Sequence, residues 1–257
     1  MSRFWNFIKN EETGDVELRI TGEIIDDSWA WIYEWFGDPY ASPNKFREAL
    51  AEHKGKDITV WIDSIGGDVF AAVGIYTALM EHKGSVTVKI DGKAYSAASI
   101  IAMAGGQVLM SPGSMMLVHN PWSYIEGEAK DMRHVADILD EVKEAIMNIY
   151  ELKTGRSREE ISAIMDAETP MSATTAIEEK FADGMLYSEA IEAMKAHFAA
   201  TYRPMIQNSW NKSIERALEL KKQTKVSELE EPPVTGRVFD KRVNVREKSH
   251  RRYAKNG

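Results

Sequence analysis

The chain has 257 residues, of which 44% are hydrophobic and 28% charged, the make-up of an ordinary globular protein with room for one sizeable core plus appendages. It contains no cysteine, which excludes disulfides, thiolate metal sites and a cysteine nucleophile. The net charge of −8 is unevenly spread: residues 237–257 hold eight Lys/Arg against Asp240 and Glu247, so a basic tail follows an acidic body.

Met1 to Trp5 lacks the apolar run and small-residue cleavage site of an export signal, and no apolar run approaches membrane-spanning length. The expectation is therefore a cytosolic protein without a membrane partner. The six histidines show no His-Glu-x-x-His or similar ligand spacing, so a metal site has little support; the expectation is a cofactor-free protein.

Val16 to Ile24 alternates as a strand, with Gly22 placed for a bulge. Asp27 to Phe36 carries Trp29, Trp31 and Trp35, an aromatic cluster read as core or subunit interface. Ser42-Pro43-Asn44 predicts a helix to about His53, with Ser42 as cap and Pro43 in the first turn. Asp57 to Ile62 is a compact strand of the kind buried on both faces. Asp63-Ser64-Ile65-Gly66-Gly67-Asp68 follows, and then an apolar-periodic helix from Val69 to Glu81. Two adjacent glycines at a strand end permit positive φ and close backbone approach to a ligand, although a plain strand-to-helix turn uses them too. No Gly-x-x-x-x-Gly-Lys-Ser/Thr sequence occurs, so the loop is no nucleotide-binding P-loop.

Val86 to Asp91 is a β-branched, alternating strand, and the small residues from Ala97 onward lead into a helical run. Ser96 stands at the elbow between them. A serine there is either an ordinary helix N-cap or a hydroxyl set beside unpaired N–H groups that can hold an oxyanion. Gln107–Met110 and Met115–Val118 read as two strands around a Ser-Pro-Gly-Ser turn. His119 stands where the second strand ends, before Asn120-Pro121, a position that suits a structural histidine as well as a catalytic one. Ala129 to Leu152 is the longest helix, apolar over more than one face in its second half. Ser157 and Glu160 form a capping box for a helix to Met165, Asp166 to Met171 is a loop, Ser172 to Lys180 is helical, and Met185 to Tyr187 closes as a short strand. The alternation of strands and helices makes an α/β body with crossover connections. Ser188 to about Lys222 reads as one or two amphipathic helices, Glu228 to Pro233 as a linker, and the basic tail as disordered.

Ser64-Ile65-Gly66-Gly67, Ala94-Tyr95-Ser96-Ala97-Ala98, His119-Asn120-Pro121, a long helix ending in Thr154-Gly155, and Met171-Ser172-Ala173 follow one another as in the caseinolytic ClpP family of serine peptidases. More narrowly, the chain resembles the ClpP-like head maturation (prohead) proteases of tailed phages and prophages. The resemblance covers about Val16 to Tyr187 and implies a ClpP/crotonase-like fold of stacked βαβ units with a protruding handle helix, assembled in rings. It places an N-terminal segment at 1–15, the peptidase domain at 16–187, a helical extension at 188–223, and linker and tail at 224–257.

Carried over residue by residue, Ser96 matches the nucleophile, with Ser99 a nearby alternative, and His119 matches the general base. Gly67 and the N–H of Ala97 match the oxyanion hole, with Gly66 as second choice. Asp68, Val69 and Phe70 match the strip along which an extended substrate pairs. The third triad position, an aspartate in the family, is Glu168 here, with Asp166 as the competing carboxylate. A Ser-His dyad is the other possibility. The implied activity is an ATP-independent serine endopeptidase in the host bacterial cytosol. It would cut scaffold or capsid protein as a homo-oligomer, with an unfoldase partner left open and nucleic acid contact confined to the basic tail. Rival readings are a silent ClpP-like structural component and a crotonase-like acyl-CoA enzyme.

Overall fold

The computed structural model describes residues 8–9 and 16–227. Its elements, in chain order, are β1 (Ile8–Lys9), β2 (Val16–Ile24), a 3-10 turn (Asp27–Trp29), α1 (Ala30–Phe36), β3 (Tyr40–Ala41), α2 (Pro43–Ala51), β4 (Ile58–Gly67), α3 (Val69–Met80), β5 (Val86–Tyr95), α4 (Ala97–Ala102), β6 (Gln107–Met110) and β7 (Met115–Val118). After these come α5 (Ala129–Thr154), α6 (Arg158–Asp166), β8 (Thr169–Ser172), α7 (Ala173–Glu178), β9 (Gly184–Met185) and α8 (Ser188–Ser227). The fold is mixed α/β with a largely parallel sheet, in the order β1-β2-β4-β5-β6-β9.

The heart of the sheet is the parallel trio β2, β4 and β5. Ile20 pairs with Ile62 and Ile62 with Ile90, and all three are fully buried. The alternating residues on these strands, Arg19, Trp61 and Lys89, share the opposite face. There Trp61 lies between two cations, 5.8 Å from the Arg19 guanidinium and 5.0 Å from the Lys89 ammonium. The expectation that residues 57–62 are buried on both faces is therefore corrected: one face is core and the other is polar and half-buried. The pattern Thr59-Val60-Trp61-Ile62 looks continuous because Trp61 counts as apolar, although its ring is covered by charged side chains.

At Asp91–Gly92 the sheet forks. Thr87 to Ile90 pair with β6, whereas Lys93 to Tyr95 pair with β7. The Asp63 carboxylate accepts from the Lys93 ammonium at 2.8 Å, and the β4–β5 register shifts between Ile62 and Ser64. The fork sends β7 toward the end of β4 and brings the two chemical loops together.

Three local expectations are revised. Trp29, Trp31 and Trp35 are 57%, 65% and 81% exposed, so they are not core of this chain. Ser42 occupies the α2 N-cap position, but its hydroxyl makes no capping bond and is buried without a partner among the described residues. Residues 166–171 are not all loop, because Thr169 to Ser172 pairs antiparallel with β7, Pro170 opposite Leu117. The bulge after Gly22, Pro43 at the start of α2 and the Ser157/Glu160 capping box appear as read.

The chain divides into two compact units after Glu192. The first holds the sheet and its helices. The second holds the continuation of α8, which runs as a single helix through Pro204 to Ser227. The expected helical extension 188–223 lies within α8. The linker and basic tail from residue 228 on, and residues 1–7 and 10–15 of the expected N-terminal segment, lie outside the described residues. No helix among the described residues is long and apolar enough to cross a membrane.

Candidate active site

Three chain segments meet at the carboxyl ends of β4, β5 and β7, where open parallel sheets leave their crevice. β5 ends at Tyr95, and Ser96 turns the chain into α4 with φ 55° and ψ −125°. Such a backbone is strained for a residue with a Cβ and persists where its surroundings hold it. Here the holding contacts are explicit. The Ser96 N–H donates to the Leu117 carbonyl of β7 at 2.9 Å, and the Ser96 carbonyl accepts from Ser99 N–H at 2.9 Å and from Ser99 Oγ at 2.6 Å.

His119 follows β7 two residues after Leu117, so the strand that grips the elbow also aims the imidazole. Its Nε2 lies 2.7 Å from Ser96 Oγ. With the serine hydroxyl as donor, Nε2 is the acceptor and the ring proton resides on Nδ1. Both residues are half-buried in a cavity of about 420 Å³. Its wall includes Gly66, Gly67, Ala97, Ile100, Ile146 and Trp122.

The glycine loop abuts the elbow. A Cβ on Gly66, whose φ is 92°, would stand 2.5 Å from the Tyr95 carbonyl oxygen, 2.8 Å from Ser96 Cβ and 2.9 Å from the Ala97 nitrogen. The N–H of Gly66 is already donated to Ser64 Oγ at 3.1 Å. That engages the N–H of Gly66, the second choice for the oxyanion hole, while Gly67 also lines the cavity. Ala97 begins α4 and is buried at 1% exposure, and helix-start amides lack intrahelical acceptors.

Asp68 caps α3 by accepting from the Ala71 N–H at 2.7 Å, and its own N–H donates to the Ile24 carbonyl at 2.7 Å. Val69 and Phe70 are the first residues of α3. The strip expected at Asp68, Val69 and Phe70 is therefore a helix start rather than an extended edge, because the Asp68 cap turns the chain at once. Val69 still lines the cavity, and Phe70 is 71% exposed.

Ser99, the alternative nucleophile, is fully buried and engaged with Ser96 and Tyr150. The two candidate carboxylates differ in their engagement. Asp166 accepts from Asn120 Nδ2 at 2.8 Å, from the Lys143 ammonium at 2.6 Å and from Ser162 Oγ at 3.2 Å. The Lys143 ammonium, then Asn120, hold its carboxyl below the usual aspartate range. Glu168 is exposed, with φ 47°, and among the described residues its carboxylate makes neither a hydrogen bond nor an ion pair. Neither carboxylate is hydrogen-bonded to His119, which has Ser96 as its partner.

Glu23, Tyr33, Ile146, Tyr150 and Trp122 belong to the site or its support but carry no local sequence signal. Glu23 and Tyr150 come to the cavity through strand register and helix packing alone. Among the described residues no group of three or more His, Asp or Glu is placed to hold a metal ion.

This arrangement fits nucleophilic acyl transfer: an activated hydroxyl, an acceptor for its proton and backbone amides in one pocket. The sequence matches the family described as Clp protease over residues 48–189. It is also 31% identical over 134 residues to an ATP-dependent Clp protease proteolytic subunit of Porphyromonas gingivalis, a match covering 51% of this chain and 60% of that relative. The chain thus spans less than two thirds of the relative's length. More than half of this chain lies inside the family match, and with the elbow, the glycine loop and the histidine in place, the chain belongs to the Clp protease family.

Proposed function

We propose that the protein is a serine endopeptidase that works without ATP, with Ser96 as nucleophile and His119 as base. The observation that carries this reading is the 2.7 Å approach of His119 Nε2 to Ser96 Oγ at a strained elbow. In the proposed reaction Ser96 Oγ bonds to the scissile carbonyl carbon as its proton passes to Nε2. The N–H groups of Gly67 and Ala97 donate to the carbonyl oxygen as it gains negative charge. Collapse of the tetrahedral species breaks the C–N bond, and the proton on Nε2 goes to the departing amine. Water, giving a proton to Nε2, then hydrolyses the serine ester and returns the hydroxyl.

Glu168 is the proposed third member, since its carboxylate is uncommitted whereas Asp166 already serves Lys143, Asn120 and Ser162. It would have to swing toward Nδ1. Until then Ser96 and His119 act as a dyad.

The proposed biological role is processing of scaffold or capsid protein during phage head maturation, by a homo-oligomer in the bacterial cytosol. Its support is the resemblance of the five motif segments to phage prohead proteases. A fluorophosphonate probe tests the chemistry: the wild type should label stoichiometrically and Ser96→Ala not at all. Absence of labelling in folded wild-type protein overturns the peptidase reading in favour of a silent structural component.

A further inference from the structure

The cavity that holds Ser96 and His119 is lined by one strongly charged residue. Among the residues that line it, Glu23 is the sole Asp, Glu, Lys or Arg. Glu23 pairs with Gly66 across the β2–β4 ladder, and Gly66 abuts Ser96. The Glu23 backbone therefore lies about two strand spacings, roughly 10 Å, from that of Ser96.

Glu23 is half-buried and held in place, because the Tyr33 hydroxyl of α1 donates to its Oε2 at 2.5 Å. Tyrosine is a neutral donor, so the bond orients the carboxylate without cancelling its charge. Among the described residues no Lys or Arg forms an ion pair with Glu23. A fixed, uncompensated anion in a partly enclosed wall favours a cation and repels another anion more strongly than it would in bulk water. Trp122, 77% exposed in the same wall, offers a ring against which the methylenes or charge of a long basic side chain can lie.

We propose that Glu23 forms a subsite for a lysine or arginine side chain of the substrate near the scissile bond. This inference rests on the peptidase reading above and adds a charge preference to it. It makes Glu23 a specificity residue, with Tyr33 positioning it.

The test uses the full chain and internally quenched peptides carrying Lys, norleucine or Glu, one position at a time, over three residues on each side of the scissile bond. At one position, Lys should exceed norleucine about tenfold in kcat/KM, and Glu should fall below both. Glu23→Gln keeps an acceptor for Tyr33 and removes the charge, so the Lys-to-norleucine ratio should collapse toward one. Glu23→Lys should turn the preference toward Glu. In the wild type alone, the Lys advantage should shrink as salt rises, which reads the charge even if a variant fails to fold. A ratio that Glu23→Gln and salt both leave unchanged, with cleavage still dependent on Ser96, overturns the subsite and leaves the peptidase reading standing. Failure of the wild type to cut any peptide overturns both.

Discussion

The Tyr150 hydroxyl lies 2.7 Å from Ser99 Oγ, and Ser99 Oγ lies 2.6 Å from the carbonyl of Ser96. Ser99 has one proton and gives it to that carbonyl, so Tyr150 must be the donor to Ser99. Both residues are buried, Ser99 fully and Tyr150 at 1% exposure, and burial holds the Tyr150 phenol far above its ordinary ionisation range. A relay of two hydroxyls thus runs from α5 through the core to the underside of the elbow.

Tyr150→Phe should therefore act on turnover more than on binding. Loss of the hydroxyl leaves Ser99 without a donor, at a cost of about 1 kcal/mol in stability. The elbow loosens, and kcat should fall about tenfold with KM little changed. Thermal denaturation and steady-state peptide kinetics check the two effects. A rise in KM larger than the fall in kcat would place Tyr150 in binding instead.

Two glycines with positive φ should respond differently to alanine. Gly66→Ala drives a methyl into the Tyr95 carbonyl and Ser96 Cβ, and should cost about 3 kcal/mol or more while abolishing probe labelling. Gly37 has φ 77° at the end of α1, with nothing within 4 Å of an added Cβ. Gly37→Ala should cost about 1 kcal/mol and leave labelling intact. Denaturant melts paired with labelling stoichiometry separate the two.

The two carboxylates near the third position should also separate. If Glu168 swings to Nδ1 as proposed, Glu168→Gln should lower kcat about a hundredfold and change the pH profile of kcat, because Nδ1–H would then lose its charged acceptor. Asp166→Asn should keep kcat within about threefold while releasing Lys143. The reverse ranking would transfer the role to Asp166.

An alkaline titration tests the Tyr33–Glu23 contact. The hydrogen bond to Glu23, then burial and the charge of Glu23, raise the Tyr33 phenol to about 12 from 10.0. A raised value means that the folded state keeps the proton longer than the unfolded chain does. The stability from this contact is complete below pH 10 and is lost as the pH climbs to about 12. Tyr33→Phe should lose stability less steeply than wild type across that window, as urea midpoints at stepped pH would show.

What could be read from the sequence was whatever has a short period or a rigid local rule. The alternation in Val16–Ile24 and Val86–Asp91, the small residues after Ser96, and Pro43 placed the central strands and both loops. The three tryptophans near α1 are exposed on this chain, which removes core from their reading and leaves subunit interface, because aromatic content signals burial without saying against what. Thr169–Ser172 escaped because Pro170 argues against a strand, whereas an edge position opposite Leu117 accepts it. Glu23 and Tyr150 were invisible to local reasoning. Their importance arises from pairing partners 43 and 51 residues away, Gly66 and Ser99.

The fit of Gly66 against Ser96 has a bearing on how such a catalyst can fail. With no room for even a methyl between them, the Ser96 hydroxyl and the amides proposed to receive the carbonyl cannot be adjusted separately. Their mutual aim is inherited from the β4–β5 register, which the fully buried pairs Val60–Val88 and Ile62–Ile90 anchor. On the proposed mechanism, lesions in that hydrocarbon layer should surface as proteins that fold and bind, yet turn over slowly, with nothing altered where the substrate would lie.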